Sequence, residues 1–283
     1  MTKNKEIFVR KATGGRDKFR PEKIKNTCLR IGVNPETAQK IVDKVSEEIY
    51  NGISTKKILE KTRYYLKEIS PVLSDIYSLK SAMLELGPDG FIFEEYCRRL
   101  LNYYNIPAVC PKTIFGFCIS HEVDIIFENE KKYTFIECKY HNRQGIYCGS
   151  KDILYTWARF LDLQDGFKSQ KNFYNFTSVW LITNTKFSDH AKQFGLCKKM
   201  GLLGWNWPEN GGLAYYIKKA KFWPITILSN IDNNIRKILF KEGIILISDL
   251  LKPNFTLKNG KISQKKISII QEEAQKVMDY FKE

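Results

Sequence analysis

Apolar residues recur at helical spacing through most of the first 86 residues. Ahead of them, two short runs flank a Thr-Gly-Gly turn at residues 13–15, which predicts a β-hairpin over residues 7–20. Pro21 can open the first helix because the N–H that proline lacks would be unpaired there in any case. The spacing predicts four helices, which begin near Pro21, Pro35, Ser54 or Thr55, and Ser70-Pro71.

The periodicity changes after a breaker run at residues 86–90, Leu-Gly-Pro-Asp-Gly. The pattern that follows predicts helix, strands, helix and strand, which is typical of an α/β core. The predicted elements are a helix over residues 91–104, strands over 112–119, 122–128 and 133–140, a helix over 150–163, a strand over 178–183 and a helix capped by Ser188. From Pro224 onward the pattern is helical again, with two helices around Gly243.

The chain is therefore predicted to have two domains of mixed α+β and α/β class and a tail. Residues 1–86 form a small, mostly helical domain with a β-hairpin, residues 87–223 an α/β core, and residues 224–283 a helical tail. The tail resembles a helix-hairpin-helix-type unit, whose backbone N–H groups can meet a DNA phosphate without reading sequence. Packing alone explains the same leucines.

The net charge of the chain indicates which class of binding partner to expect. The chain has 46 Lys and Arg against 31 Asp and Glu, a formal net charge of +15, and both the first 86 residues and the remainder are basic. This favours a polyanionic partner. No apolar run is long enough to cross a membrane and no signal core is seen, so we expect a soluble, cytoplasmic protein without a membrane partner. Seven cysteines without a Cys-x-x-Cys pair suit free thiols.

Asp124, Glu137 and Lys139 form the strongest candidate site. A tight turn would place Asp124 at the start of one strand and Glu137 near the end of its partner, so the carboxylates can converge. Glu137 and Lys139 share a face because side chains alternate along a strand. Two carboxylates suit Mg²⁺, and a nearby lysine can orient or deprotonate water for phosphodiester hydrolysis. An exposed ion pair in a hairpin explains the same spacing.

Four runs around these residues carry a family resemblance: Gly90-x-x-Phe93-Glu94, Val123-Asp124, Ile136-Glu137-Cys138-Lys139, and Leu181 to Asn184 with Phe187-Ser188 and Ala191. Over about residues 88–220 they resemble an Mrr-type restriction endonuclease domain of the PD-(D/E)xK nuclease superfamily. The resemblance implies a restriction-endonuclease-like core with a central mixed sheet, in which Asp124 and Glu137 hold Mg²⁺. It also implies that Lys139 acts on the attacking water and that Glu94 completes the site.

The amino-terminal block carries a second set of runs: Val9-Arg10-Lys11, Phe19-x-x-Glu22-Lys23-Ile24, and Gly52-Ile53-Ser54-Thr55 with Ile58. Over about residues 5–86 they resemble an ATP-cone, a regulatory nucleotide-binding module. A hairpin lysine beside a helix start offers cations and amides to phosphates. We expect Lys11, Lys23 and Thr55 to bind ATP or dATP. Ala12 and Leu59 depart from the module, and a structural or DNA-contacting block is the alternative.

A zinc site would use two Cys-x-x-His pairs, Cys118 with His121 and Cys138 with His141. Residues three apart on a strand point to opposite faces, which favours buried cysteines instead. On the helix after the strands, Arg159 is a candidate DNA contact, whereas Trp157 is expected in the core.

These features predict a Mg²⁺-dependent DNA endonuclease that is regulated by adenine nucleotide, and a homodimer is compatible with them. The first alternative is a non-catalytic, nucleotide-responsive DNA-binding regulator. The second is a nucleotide-sensing subunit of a partner enzyme. Two carboxylates beside a polyanion favour the endonuclease, because binding alone does not require them.

Overall fold

The computed structural model describes residues 6–88, 90–111, 113–253, 255–257 and 260–280. Within these ranges the chain forms two compact units. The first unit combines residues of Met1–Ala82 with residues of Pro224–Glu283, and the second unit is Met83–Trp223. The domain bounds 1–86, 87–223 and 224–283 stay a prediction.

The described strands follow one another in this order: β1 Phe8–Arg10, β2 Arg16–Lys18, β3 Ala108–Val109, β4 Thr113–Phe115, β5 Ser120–Glu122, β6 Ile125–Asn129, β7 Lys132–Lys139, β8 Tyr147–Cys148, β9 Phe176–Thr183, β10 Lys186–Phe187 and β11 Gly201–Leu203. The described helices are α1 Pro21–Arg30, α2 Pro35–Glu47, α3 Thr55–Ile69, α4 Pro71–Tyr77, α5 Leu79–Met83, α6 Phe91–Tyr103, α7 Ser150–Lys168, α8 Asp189–Cys197, α9 Leu213–Lys219, α10 Asn233–Lys241, α11 Ile247–Leu250 and α12 Gln264–Asp279. No helix among the described residues is long and apolar enough to cross a membrane.

The first unit begins with the predicted hairpin. Strands β1 and β2 pair antiparallel, and Gly14 in the turn has a φ of 84°, a conformation that favours glycine. Ser54 caps α3 by accepting a hydrogen bond from the N–H of Lys57 at 3.2 Å. The single helix expected after Ser70 is instead divided into α4 and α5 at Ser78.

The predicted tail packs in the first unit. The Thr226 hydroxyl donates to the carbonyl of Ala82 at 2.9 Å, and α12 buries Ile267, Ile270, Ala274 and Val277. The expectation that the carboxy-terminal part is helical is confirmed.

A five-stranded mixed sheet forms the centre of the second unit, in the order β11-β9-β7-β6-β3. Strands β7, β9 and β11 run parallel, whereas β6 pairs antiparallel with both β7 and β3. The central mixed sheet is therefore confirmed. The turn between β6 and β7 places Glu130 and Lys131 at positive φ, which fits a two-residue hairpin turn.

Helices cover both faces of this sheet. Phe135 of β7 packs in one core with Ile153 and Phe160 of α7. Cys138, three residues after Phe135, points to the opposite face of the sheet and contacts Cys97 of α6. Because both faces are covered, β7 is buried almost throughout, and its polar residues require internal partners.

The segment ahead of β6 differs from the prediction. Residues 112–119 and 122–128 do not form two long strands. Instead β4 and β5 make a short hairpin that ends before Val123, and β6 starts at Ile125. Lys112 and Asp89, parts of a predicted strand and of the breaker run, lie outside the described residues.

Candidate active site

The carboxylates of Asp124 and Glu137 lie where β6 begins and β7 ends. Ile125 of β6 pairs with Ile136 of β7, so Asp124 comes next to Glu137 in the antiparallel register. The Cys138 N–H donates to Asp124 Oδ2 at 2.7 Å and fixes this carboxylate against the end of β7. The sequence prediction that Asp124 and Glu137 converge agrees with this geometry.

Glu137 is buried against α7. Glu137 is 7% exposed, and its Oε2 accepts a hydrogen bond from Arg159 Nη1. Arg159 is also 7% exposed, and its guanidinium lies 5.4 Å from the ring centre of Phe135 and 5.3 Å from that of Tyr155. Arg159 therefore neutralises part of the carboxylate cluster from within the core. It does not offer the surface DNA contact that the sequence suggested.

Lys139 lies at the end of β7 with its side chain 39% exposed. Its Nζ is 3.8 Å from Asp152 Oδ1 in the first turn of α7. Asp152 also accepts from the Gly149 N–H at 2.9 Å, so the carboxylate is held in place independently of the lysine. Lys139 thus has a fixed counter-ion while its side chain remains partly exposed to solvent.

Glu94 comes from α6, on the other face of the sheet. Burial raises its pKa to about 7, and the negative charges of Asp124 and Glu122 add to the shift. Its Oε1 would lie 3.3 Å from a Cβ added at Gly90, so the glycine before α6 leaves space for this carboxylate.

The negative charge of Asp124 opposes the ionisation of both Glu94 and Glu137 and so raises the pKa of each. Burial raises the pKa of Glu137, and Asp124 and Glu94 raise it further despite the cations of Arg159 and Lys139. Burial also raises the pKa of Asp124, against the effects of the Cys138 N–H and Arg159. When all three carboxyl groups are ionised, they carry one more negative charge than Lys139 and Arg159 neutralise, which is the electrostatic setting that attracts a divalent cation.

The donor set suits magnesium. Hydrogen bonds in the described part of the chain engage Oδ2 of Asp124 and Oε2 of Glu137, and none engages Oδ1 or Oε1. No group of three His, Cys, Asp or Glu side chains among the described residues forms a complete metal cluster. Two carboxylate oxygens with water in the other positions are a usual arrangement for Mg²⁺, whereas calcium and zinc sites take more protein ligands.

Asn184 anchors the chain just beyond Lys139. It is fully buried, its Oδ1 accepts from the His141 N–H at 2.9 Å, and its Nδ2 donates to the His141 carbonyl at 2.8 Å and the Met83 carbonyl at 3.1 Å. Burial lowers the pKa of His141, whose Nε2 has no hydrogen-bond partner within the described residues. Asn184 thus supports the site through the backbone.

The four Cys and His residues considered for zinc are used separately. His121 Nε2 lies 2.7 Å from Asp162 Oδ2, and the Cys118 N–H donates to Asp162 Oδ1 at 2.7 Å. Cys138 is buried against Cys97. Asp162 thus fastens the β4–β5 hairpin to α7. The expectation of buried cysteines holds for Cys138 and is wrong for Cys118, which is exposed.

In the first unit, two of the three candidate nucleotide-binding residues converge. Lys11 Nζ and Lys23 Nζ lie 3.1 and 3.4 Å from Asp17 Oδ2, and together they lower the pKa of Asp17 to about 2. Thr55 is the first residue of α3, whose start is joined to β1 by the hydrogen bond from the Arg10 N–H to the Ile53 carbonyl at 2.9 Å. The structure therefore brings Lys11 and Lys23 together and brings the start of α3 to the same hairpin.

The hairpin between α10 and α11 uses its N–H groups internally. The N–H groups of Gly243 and Ile244 donate to the carbonyls of Phe240 and Leu239, and those of Ile245 and Leu246 donate to Asp249 Oδ2. Gly243 has a φ of 74°. The tight turn is present, but these four donors are already paired, so packing accounts for the hairpin.

Comparisons with known proteins identify relatives of this chain. Residues 223–278 match the family model described as AF1548-like, C-terminal. An uncharacterized protein from Archaeoglobus fulgidus is 33% identical over 181 residues, which are 64% of this chain and 98% of that protein. A solved structure described as "Crystal Structure of Protein of Unknown Function AF1548" is 31% identical with a TM-score of 0.58, and the match covers 68% of this chain and 100% of that chain. Because it covers nearly all of a relative that is one third identical, this chain belongs to the AF1548-like family.

Proposed function

We propose that this protein is a metal-dependent DNA endonuclease that hydrolyses phosphodiester bonds at the cluster of Glu94, Asp124, Glu137 and Lys139. One observation carries the proposal: Asp124, just before β6, lies beside Glu137 of β7. Each has one carboxylate oxygen unused by the described residues, and Lys139 lies two residues beyond Glu137. A purely structural ion pair does not require a cluster of three carboxyl groups in which Asp124 raises the pKa of both Glu94 and Glu137.

Mg²⁺ held by Asp124 and Glu137 would lower the pKa of bound water and offset the negative charge of the phosphate. The chain's own residues supply the rest of the chemistry. Lys139 can donate from Nζ to the attacking oxygen and orient it, while Asp152 keeps the lysine from turning away. Arg159 keeps Glu137 oriented by its hydrogen bond, and the Cys138 N–H does the same for Asp124. Glu94 can accept a hydrogen bond from water beside Asp124.

The test is cleavage of plasmid DNA, modified phage DNA and RNA, each with and without Mg²⁺. Asp124→Ala, Glu137→Ala and Lys139→Ala are each expected to lower the rate by at least about a hundredfold, because each removes a ligand or the cation at the attacking water. Glu94→Ala should have a milder effect. Glu209→Ala, which removes an exposed carboxylate in the same unit, is the matched control. Mg²⁺-dependent cleavage at the normal rate by Asp124→Ala would refute the site.

The alternative of a nucleotide-responsive DNA-binding regulator has its own support in the convergence of Lys11 and Lys23 on Asp17. Phosphate oxygens could replace the carboxylate there as the partner of both lysines. Calorimetry with ATP, ADP and dATP tests this, with Lys11→Ala and Lys23→Ala expected to lose binding. Nucleotide binding together with DNA binding, but without cleavage under any of the conditions above, would favour the regulator over the endonuclease.

A further inference from the structure

Four tyrosine rings form a continuous row in the second unit, at the end of α6 and along α9. The ring centres of Tyr103 and Tyr104 are 5.3 Å apart, those of Tyr104 and Tyr216 are 5.4 Å apart, and those of Tyr216 and Tyr215 are 5.4 Å apart. Each ring stands nearly perpendicular to the next, at 80°, 82° and 80°. We call this row the tyrosine surface.

The inner rings, Tyr104 and Tyr216, hold the row together, and the outer rings, Tyr103 and Tyr215, are exposed. The Tyr104 hydroxyl donates to the Tyr216 carbonyl at 2.9 Å, which ties α6 to α9. Phe222 packs behind Tyr103 with ring centres 5.8 Å apart. Tyr103 is nevertheless 55% exposed and Tyr215 is 50% exposed. The row therefore offers two aromatic rings that are fixed in place and accessible.

The two segments that carry the tyrosine surface contain basic residues and no acidic ones. Residues 100–111 contain no charged residue, and residues 211–223 contain three lysines and no Asp or Glu. Lys219 lies over the Tyr215 ring, with Nζ 5.8 Å from the ring centre. Exposed aromatic rings among lysines complement a polyanion that also has flat faces to stack.

We propose that the tyrosine surface binds an unpaired stretch of nucleic acid, with bases stacked on Tyr103 and Tyr215 and phosphates beside Lys219. A duplex would present its backbone here and keep its base faces hidden, so the rings favour single strands. The three lysines and the lack of Asp and Glu in residues 211–223 favour a polyanion over an uncharged apolar partner. The choice of nucleic acid as the polyanion rests on the proposed function, whereas the surface is built without the carboxylate cluster.

Binding is best measured in the Asp124→Ala background without divalent metal, so that cleavage does not interfere. The probes are labelled oligothymidylate, oligouridylate, an abasic oligomer with the same number of phosphates, and a duplex of matched length. The thymidylate and uridylate arms separate DNA from RNA. We expect the oligothymidylate or the oligouridylate to bind more tightly than both the abasic oligomer and the duplex.

Replacing Tyr103 and Tyr215 together by alanine should weaken single-strand binding by at least about tenfold. Phenylalanine at both positions should retain it, because the ring and not the hydroxyl carries the contact. Tyr64→Ala, an exposed tyrosine on α3 in the first unit, is the matched control. Unchanged affinity of the double alanine variant, equal loss with phenylalanine, or equal affinity for the abasic oligomer would overturn the inference. Binding with this pattern but without cleavage by the unmodified protein would refute only the endonuclease.

Discussion

The guanidinium of Arg159 is the internal counter-charge of the carboxylate cluster. It lies between the rings of Phe135 and Tyr155, donates to Glu137, and its Nε has no hydrogen-bond partner within the described residues. A buried carboxylate that loses its cation leaves an uncompensated charge, which costs far more than the pair itself contributes.

Arg159→Met is therefore expected to destabilise the protein by about 3 kcal/mol at about pH 8. The loss should be smaller near pH 5, because Glu137, whose pKa is already raised, can then take up a proton. Arg159→Lys should recover part of the stability, since it keeps the charge. Urea unfolding at both pH values measures the effect, with the exposed Arg143→Met as control. A loss of the same size at both pH values would show that packing, and not charge, is responsible.

Sequence reasoning located Asp124, Glu137 and Lys139 because strand parity and a short turn fix which side chains meet. It did not locate the partner of Glu137. Arg159 follows Asp152 by seven residues, two helical turns, so the two share the stripe of α7 that faces the sheet. That spacing was visible, but only the packed structure shows that this stripe covers the end of β7.

At the scale of elements, the ends of β7 and β9 are joined through Asn184, which makes three hydrogen bonds to the backbone of His141 and Met83. The His141 groups lie two residues beyond Lys139, so the anchor determines where the lysine is presented.

Asn184→Ala is expected to cost about 3 kcal/mol, because it leaves buried donors and acceptors unpaired. Cleavage should fall as well, since the segment that follows Lys139 loses its anchor. Thermal or urea unfolding measures the first effect, and Asn142→Ala, which is exposed, should change stability by less than about 0.5 kcal/mol. Equal stabilities of the two variants would remove Asn184 from this role.

The β4–β5 hairpin is one of the elements that the sequence pattern missed, as are the short strands β3, β8, β10 and β11. Its apolar residues predicted one strand, but Gly116 leaves no room for a side chain: an added Cβ would lie 2.0 Å from Asp162 Oδ2. The bonds from Asp162 to Cys118 and His121 bridge residues about 40 positions apart. Local periodicity carries no information on such distant contacts, so the turn could not be predicted.

At the scale of the whole molecule, the carboxylate cluster sets a pH dependence of stability. The pKa of Glu94 is raised from 4.5 to about 7, so the folded state binds this proton more tightly than the unfolded state does. The contribution is fully present below about pH 4.5 and is lost as the pH rises towards 7. A cation that binds only the folded state should replace the proton at higher pH.

Without divalent metal, the melting temperature is expected to fall between about pH 5 and about pH 7.5, and Glu94→Gln should reduce that fall. Mg²⁺ should raise the melting temperature more at about pH 7.5 than at about pH 5, because the carboxylates are then ionised. Glu209→Gln serves as control. Equal Mg²⁺ effects at the two pH values, or a Glu94→Gln response identical to the control, would contradict a cation site here.

The first unit combines two segments that are far apart in the sequence, and this determines the order in which the two units can fold during synthesis. Its helices α10, α11 and α12 are made only after the 141 residues of Met83–Trp223. At ribosomal speeds, the amino-terminal hairpin and α1 to α4 must wait on the order of 10 s for these partners. The second unit is contiguous and can fold during that interval. A chaperone that protects nascent chains is therefore expected to bind the amino-terminal residues of the first unit for longer than it binds the second unit.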